Sequence, residues 1–198
     1  MSETTPAPNG APAVAPVAAP AAGLTANGTD PVLPGGETPD QALTRAQTAL
    51  QAKRFNESAG ICNDVLATLP DYPPALAVLG ITHSQMQEPE RAIALLSRAV
   101  QLRPGVGNWH AHLSSICRSV NRIEEARVQG EESVRLDGNN VDHLVNLALV
   151  YCDADLFDNA IACLLRSVGL KEDHADGRLA LAQILLAQGD FTAGWHEY

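Results

Sequence analysis

The sequence predicts an all-α protein in which antiparallel pairs of helices stack one after another into a solenoid. Three observations lead to this prediction. From residue 39 onwards the chain repeats with a period of 34 residues, and two positions in each period hold only small residues. Aromatic residues make up only 4% of the chain whereas alanine is frequent, which favours closely packed helices over a β-sandwich.

The composition divides the chain near residue 39. Residues 1–38 consist mostly of Ala, Pro, Gly, Thr and Val, eight of the 13 prolines lie at or before Pro39, and the first basic residue is Arg45. Each proline removes a backbone N–H donor, and the segment has no periodic apolar face. We therefore predict a disordered, partly polyproline-II tail over residues 1–38 and a solenoid over residues 39–198. A proline-rich docking ligand is the functional alternative for the tail.

The repeats align on Pro70, Pro104 and Gly138, which lie 34 residues apart. Positions 8 and 20 of every unit are small, so two helices can approach each other closely there. The units of this frame are 39–72, 73–106, 107–140, 141–174 and a partial 175–198. The residues at position 8 are Ala46, Gly80, Ser114, Ala148 and Ala182, and those at position 20 are Ser58, Ala92, Ala126, Ala160 and Gly194.

Within each unit the pattern predicts two helices joined by a tight turn. Positions 4, 7, 8 and 11 share one face of a first helix, and positions 20, 24, 27 and 28 share one face of a second. Pro89 suits the first turn of the second helix, where a missing N–H costs nothing. Position 15 is the turn, where Gly, Asn and Asp tolerate the left-handed conformation. Its residues are Lys53, Gln87, Asn121, Asp155 and Gly189.

This pattern resembles the tetratricopeptide repeat. Besides the period and the small residues, it has proline at position 32 in Pro70 and Pro104, and leucine at position 7 in every unit but the first, where Arg45 departs from the family. The resemblance covers residues 39–198. It implies a right-handed superhelix whose first helices line a concave groove, with positions 2, 5, 6, 9, 12 and 13 facing a bound protein or peptide segment.

The end of the chain carries a second resemblance. Residues Gly189–Tyr198, with the stretch Gly194-Trp195-x-x-Tyr198, look like the last repeat of bacterial proteins in which a tetratricopeptide repeat arm precedes a glycosyltransferase domain. The stretch Pro74–Gly80 is similar to the second repeat of that group. The resemblance implies the N-terminal recognition arm of a larger bacterial glycosyltransferase, truncated at Tyr198.

The last unit stops halfway along a helix, and solenoids need a polar cap at each end. We expect an exposed apolar patch there, which usually marks an interface or a missing piece. One interpretation is a truncated arm with the chemistry beyond it. The alternative is a stand-alone cytoplasmic scaffold or adaptor that self-associates through the uncapped repeat, and a membrane-associated secretion or envelope-assembly adaptor is a weaker third. The patch residues are Ile184, Leu185, Phe191 and Trp195.

The composition argues against several classes of function. A net charge of −10 and a pI near 4.9 argue against a nucleic-acid binder. No run of about 18 apolar residues predicts a membrane span, and the proline-interrupted N-terminus does not look like a secretory signal, so we expect a cytoplasmic location. Charged residues between 122 and 135 are expected to form a solvated face. Four reduced thiols are expected as small apolar residues: Cys62, Cys117, Cys152 and Cys163.

The sequence contains no motif that predicts metal binding or catalysis. His110 and His112 lie two residues apart, but a helical metal pair needs a spacing of three or four, so we predict no metal and no cofactor. No phosphate-binding motif occurs and no cysteine stands beside a base, so we predict no catalytic residue within this chain. We expect His83 and His110 to pack in or near the core. We expect His143 and His174 to be solvated.

The concave groove is therefore the predicted functional surface. No Lys or Arg stands at positions 2, 5 or 6, which disfavours a partner held by its C-terminal carboxylate, as in the chaperone-binding members of the family. An extended peptide could hydrogen-bond along the groove instead. For each single residue the alternative is an ordinary solvated side chain. The candidate partner-binding residues are Asn108, His112, Ser115, Arg118, Asp142, Asn146, Asp153 and Gln183.

Overall fold

A computed structural model describes residues 32–33 and 36–197 of the chain. These residues form ten α-helices and no β-strand, which confirms the predicted all-α class. The first helices of the five units are α1 (Pro39–Gln51), α3 (Pro73–Gln85), α5 (Gly107–Ser119), α7 (Val141–Asp153) and α9 (Ala175–Ala187). The second helices are α2 (Phe55–Thr68), α4 (Pro89–Leu102), α6 (Ile123–Leu136), α8 (Phe157–Leu170) and α10 (Phe191–Glu197).

The turn between the two helices of a unit has the same geometry in all five units. The backbone at position 15 is left-handed each time, with φ near 58° at Lys53, 62° at Gln87 and 85° at Gly189. The next N–H donates to the carbonyl at position 11, as from Glu88 to His83 at 3.0 Å. This bond satisfies an orphan carbonyl of the helix end and closes a Schellman motif. The predicted left-handed turn is confirmed.

The small residues at positions 8 and 20 lie where the two helices of a unit meet. All ten are buried. A Cβ added to Gly80 would lie 2.9 Å from Cγ of Leu96, and a Cβ added to Gly194 would lie 2.6 Å from Cγ of Leu186. The hydroxyl of Ser114 donates to the carbonyl of Ala126 at 2.7 Å across the same contact. Any larger side chain at these positions has to push the helices apart.

The packed core is divided into two apolar clusters. The first cluster runs from Leu33 through units 1 to 3 to Val150 of unit 4, and it includes Trp109 and Leu96, which are 1% and 0% exposed. The second cluster is smaller, spans units 4 and 5, and is centred on Leu164 and Leu181. Each unit thus buries apolar side chains between its own two helices and also against its neighbours, as expected for stacked helix pairs.

The first helix is preceded by a short packed segment. Most of the predicted tail, residues 1–31, lies outside the described residues. Leu33, which the sequence analysis assigned to the tail, is buried in the first cluster, and its N–H donates to the carbonyl of Glu37 at 2.8 Å. Thr38 and Gln41 form a reciprocal capping box at the start of α1. The packed structure therefore begins before residue 39.

The exposed face of α6 confirms the expected charged surface. Arg122 pairs with Glu125 at 2.6 Å, and Arg127 pairs with Glu124 and, at 2.6 Å, with Glu131. The hydrogen bond from Arg127 lowers the pKa of Glu124. Exposed pairs of this kind add little stability. In the part of the chain that the structure describes, no helix combines the length and the apolarity needed to cross a membrane.

Candidate functional site

The first helices of units 3, 4 and 5 enclose a concave pocket of about 130 Å³. The pocket lies where the N-terminal ends of α5, α7 and α9 meet. Five of the eight predicted partner-binding residues line it, so the structure brings them together although they come from two different units. These five are Asn108, His112, Ser115, Asp142 and Asn146.

The three remaining candidates lie outside the pocket. Arg118 of α5 and Asp153 of α7 form an ion pair at 3.1 Å across the same concave face. The positive charge that the sequence analysis singled out in the groove is therefore balanced by a neighbouring unit. Gln183 lies exposed on α9 and does not line the pocket.

The prediction that His143 is solvated is wrong. His143 is only 4% exposed, and its Nε2 lies 2.8 Å from Oδ1 of Asn108 in the preceding unit. Gly107 leaves room for the ring, because a Cβ there would lie 3.3 Å from its Cε1. Burial lowers the pKa of His143. The neutral ring joins units 3 and 4 at the floor of the pocket, a contact between units that the repeat pattern alone does not reveal.

The same correction applies to His174, whose side chain is 12% exposed. Its Nδ1 accepts the N–H of Gly177 at 3.1 Å, so His174 serves as the N-cap of α9. Because Nδ1 accepts, a neutral ring carries its proton on Nε2, which lies 3.3 Å from Oδ1 of Asp142. His174 therefore holds one oxygen of the Asp142 carboxylate at the pocket rim.

His112 faces the pocket, as predicted. Part of its surface is open to the pocket, but dense protein surrounds the ring. Burial, with a smaller contribution from the neighbouring His143, lowers the pKa of His112 to about 4. The ring is therefore neutral at pH 7 and offers one hydrogen-bond donor and one acceptor.

The pocket carries negative charge and unused hydrogen-bonding capacity. Asp142 is 68% exposed at its side chain, and Asp176 of α9 is exposed beside it on the pocket wall. The side chains of Ser115, Asn146 and Asp176 make no hydrogen bond to any other residue that the structure describes. The pocket thus offers acceptors and polar groups to a molecule that enters it.

Four polar lining residues are not among the eight candidates of the sequence analysis: Asn140, His143, His174 and Asp176. Asn140 caps α7 by accepting the N–H groups of Asp142 and His143. Asp176 occupies position 2 of its unit, so the groove positions of the repeat already contained the signal. The other three stand at the junctions between units, which are not among the groove positions.

The remaining histidines and cysteines have packing roles. His110 is 6% exposed, with Nδ1 2.7 Å from Oε1 of Gln129 and Nε2 2.9 Å from the carbonyl of Pro104. His83 is half-buried beside Glu88. Both predictions are confirmed. Burial raises the pKa of Cys62 to about 12, which keeps this thiol protonated and unreactive. Among the described residues, no three His, Cys, Asp or Glu side chains are grouped to hold a metal.

Comparison with models of known protein families identifies the repeats. A model of the tetratricopeptide repeat family matches residues 49–116, and a second model of the same family matches residues 145–194. Together the two matches cover more than half of the chain. The comparison with curated proteins found no match.

Several solved structures are similar in fold. A crystal structure of MamA superposes with a TM-score of 0.71, covering 77% of this chain and 89% of its own at 18% identity. PilF of Pseudomonas aeruginosa superposes with a TM-score of 0.75, covering 81% of this chain and 73% of its own at 18% identity. YrrB, described as a TPR protein with an unusual peptide-binding site, superposes with a TM-score of 0.68. The superposition covers 79% of this chain and 81% of the YrrB chain at 11% identity. At these identities the likeness shows the shared fold.

Proposed function

Because this chain belongs to the tetratricopeptide repeat family, we propose that its solenoid is a non-catalytic module that binds a segment of another protein in the concave groove. The observation that carries the proposal is the pocket between α5, α7 and α9. Ser115 and Asn146 line it and keep their hydrogen-bonding groups unused within the described part of the chain. YrrB, a TPR protein with an unusual peptide-binding site, supports the same use of this fold.

The chemistry of the groove suits an extended polypeptide. An extended segment presents backbone N–H and C=O groups that need partners once they leave water. The amide of Asn146 offers both donors and acceptors, and so does the neutral ring of His112. These groups come from the first helices of two units, so a segment lying along the groove can be held at more than one point.

The test is a peptide selection followed by a matched pair of substitutions. We would select binders to the full 198-residue chain from a displayed library of random decapeptides, and titrate the selected peptides by fluorescence anisotropy. Asn146→Ala removes a pocket amide and is expected to weaken binding about tenfold, because a polar group of the peptide loses its partner. Asn159→Ala makes the same change at an exposed position of α8 and is the control. Equal affinities of the two variants for the peptide would contradict the groove as the binding surface.

We further propose that the module is the N-terminal recognition arm of a larger cytoplasmic bacterial glycosyltransferase. The resemblance of the Gly194-Trp195-x-x-Tyr198 stretch to the end of such arms supports this. The glycine has a packing reason, since it lies buried against Leu186 of α9. Burial does not explain the tryptophan in the same way, because 64% of the surface of Trp195 is exposed.

The intact mass of the native gene product tests this second proposal. A mass far above 20.9 kDa, with transferase sequence found in the additional part, is the expected result. A product of about 21 kDa would contradict the arm and leave a stand-alone scaffold as the form in which the module acts.

A further inference from the structure

We propose that the bound protein segment inserts a positively charged side chain, lysine or arginine, into the pocket between α5, α7 and α9. The proposal rests on the proposed function, since it names the chemistry of the segment that the groove binds. Its starting point is the charge of the pocket wall, where Asp142 of α7 and Asp176 of α9 are both exposed. Both stand at position 2 of their units, in the first turn of a first helix.

No cation of the described chain balances these carboxylates. The lining includes histidines but neither lysine nor arginine. The arginines on α5 and α9 are engaged elsewhere: Arg118 pairs with Asp153 at 3.1 Å, and Arg178 pairs with Glu197 at 3.3 Å. Burial keeps His112 neutral at pH 7, so it adds no positive charge to the site. The pocket is therefore a negative cavity in a chain of net charge −10.

The hydrogen-bonding groups of the pocket match a cationic head group. His174 directs its Nε2–H towards one oxygen of Asp142, and no other bond in the described chain occupies the second oxygen. The hydroxyl oxygen of Ser115 and the amide oxygen of Asn146 add acceptors that are not used by the protein. An ammonium or guanidinium group brings three to five N–H donors and no acceptor, so it is the complement of this set.

The size of the pocket also favours a single side chain. A volume of about 130 Å³ holds a few water molecules, which corresponds to a head group with its adjoining methylenes. Val145 and Ala111 supply apolar surface for those methylenes, since both line the pocket. An acidic segment would face repulsion from both carboxylates, and an aliphatic side chain would leave all the acceptors without partners.

The N-terminal part of this chain does not supply the charge. Residues 1–38 contain no lysine and no arginine, and their charged side chains are Glu3, Asp30 and Glu37. The segment is therefore expected to be repelled by the pocket, and the cation has to come from outside residues 1–38.

The test uses four decapeptide libraries that differ only in a fixed central residue, which is Lys, Arg, Gln or Glu. Each library is selected against the full chain, and the binders are titrated against three further proteins. The first is the double variant Asp142→Asn/Asp176→Asn, and the second is Asn146→Ala. The third is the control Asp158→Asn/Asp64→Asn, which removes the same charge from exposed positions on the second helices.

We expect binders from the Lys and Arg libraries only. Replacing the fixed residue by Gln weakens them about tenfold, and so does the double variant of Asp142 and Asp176, whose remaining binding also depends less on NaCl. The control pair changes the affinity less than twofold.

Other outcomes overturn the proposal in distinguishable ways. If the Gln and Glu libraries yield equal binders that Asn146→Ala weakens but the Asp142/Asp176 variant does not, the groove binds peptides and the cation is wrong. If no library yields a binder, both the proposed function and the insertion of a Lys or Arg side chain are contradicted. The same holds if neither Asn146→Ala nor the double aspartate variant changes the affinity of any binder.

Discussion

The second and fourth units share the same helix-pair architecture but differ on the concave face. In unit 2 the groove positions hold Ala77, Val78 and Ile81, which are 0%, 0% and 2% exposed, so neighbouring helices cover them completely. In unit 4 the corresponding positions 6 and 9 hold Asn146 and Leu149, which keep part of their surface open. The groove is thus closed by apolar packing at unit 2 and open at units 3 and 4.

The difference teaches that the repeat period fixes the fold while the groove positions decide where a partner can bind. The first apolar cluster runs through units 1 to 3 and reaches Val150 of unit 4, and the second runs through units 4 and 5. Polar bonds cross the junction, including His143 to Asn108 at 2.8 Å and Tyr151 to Glu131 at 3.2 Å. The pocket lies at this junction, where polar bonds join the units in addition to apolar packing.

The largest expected effect comes from creating a cavity in each cluster. Leu96→Ala in the first cluster and Leu164→Ala in the second each remove a side chain that is 0% exposed. Each is expected to lower the free energy of unfolding by about 2–5 kcal/mol. The larger loss is expected in the larger cluster, because side chains packed on all sides relax less into the cavity. Urea unfolding monitored by circular dichroism measures both.

The matched control for this pair is Leu165→Ala, since Leu165 is next in α8 but 56% exposed. It is expected to change the free energy of unfolding by less than about 1 kcal/mol. A loss at Leu165 as large as that at Leu164 would contradict the assignment of the second cluster.

A smaller effect is expected from crowding the contact inside one unit. Ala126 is 0% exposed at position 20, and its carbonyl accepts the hydroxyl of Ser114. Ala126→Leu forces α5 and α6 apart and is expected to cost about 1–3 kcal/mol. The change in Tm measures it, with Val128→Leu on the exposed side of α6 as the control. An unchanged Tm for Ala126→Leu would contradict the close helix contact.

The junction histidines predict a loss of stability towards acid. Because burial lowers the pKa of His112 to about 4 from its usual 6.5, the unfolded chain binds the proton first as the pH falls. Stability is therefore full above pH 6.5 and is lost between about pH 6.5 and 4, and His143 acts in the same direction. We expect a loss of about 1–2 kcal/mol between pH 6.5 and 5.

Urea unfolding at a series of pH values measures this loss. His112→Gln is expected to flatten the slope between pH 6.5 and 5, whereas His196→Gln at an exposed position of α10 leaves it as in the wild type. A wild-type stability that stays constant or rises between these pH values would contradict the neutral histidines at the junction.

The smallest effect concerns the turns, which are alike in both halves of the molecule. Gln87 is exposed with φ near 62°, a conformation that glycine adopts without strain. Gln87→Gly is expected to leave the free energy of unfolding unchanged or to raise it by up to about 1 kcal/mol, because relief of strain at least balances the added backbone entropy of the unfolded chain. Gln85→Gly, two residues earlier in α3, is expected to cost about 0.5–1 kcal/mol. Thermal unfolding compares them, and an equal loss in both would contradict the turn geometry.

The sequence predicted the helix pairs and the turns because these depend on contacts within one repeat. Position 15 was assigned to the turn from Asn121, Asp155 and Gly189 alone, and Lys53 and Gln87 follow the same backbone. The small residues at positions 8 and 20 likewise report a contact that recurs in every unit.

The groove could be predicted only in part because it depends on contacts between units. Five of the eight candidate residues meet at the pocket, but the burial of His143 and His174 and the pairing of Arg118 with Asp153 follow from how far each unit is rotated against the next. No residue type at a single position encodes that rotation.

The most direct test of the pocket as the binding surface is chemical-shift mapping of a selected peptide on the ¹⁵N-labelled chain. The account predicts that the largest changes occur at the side-chain amides of Asn108 and Asn146 and along α5, α7 and the start of α9. Largest changes on the second helices α6 and α8, or around Phe191 and Trp195 at the end of the chain, would contradict it.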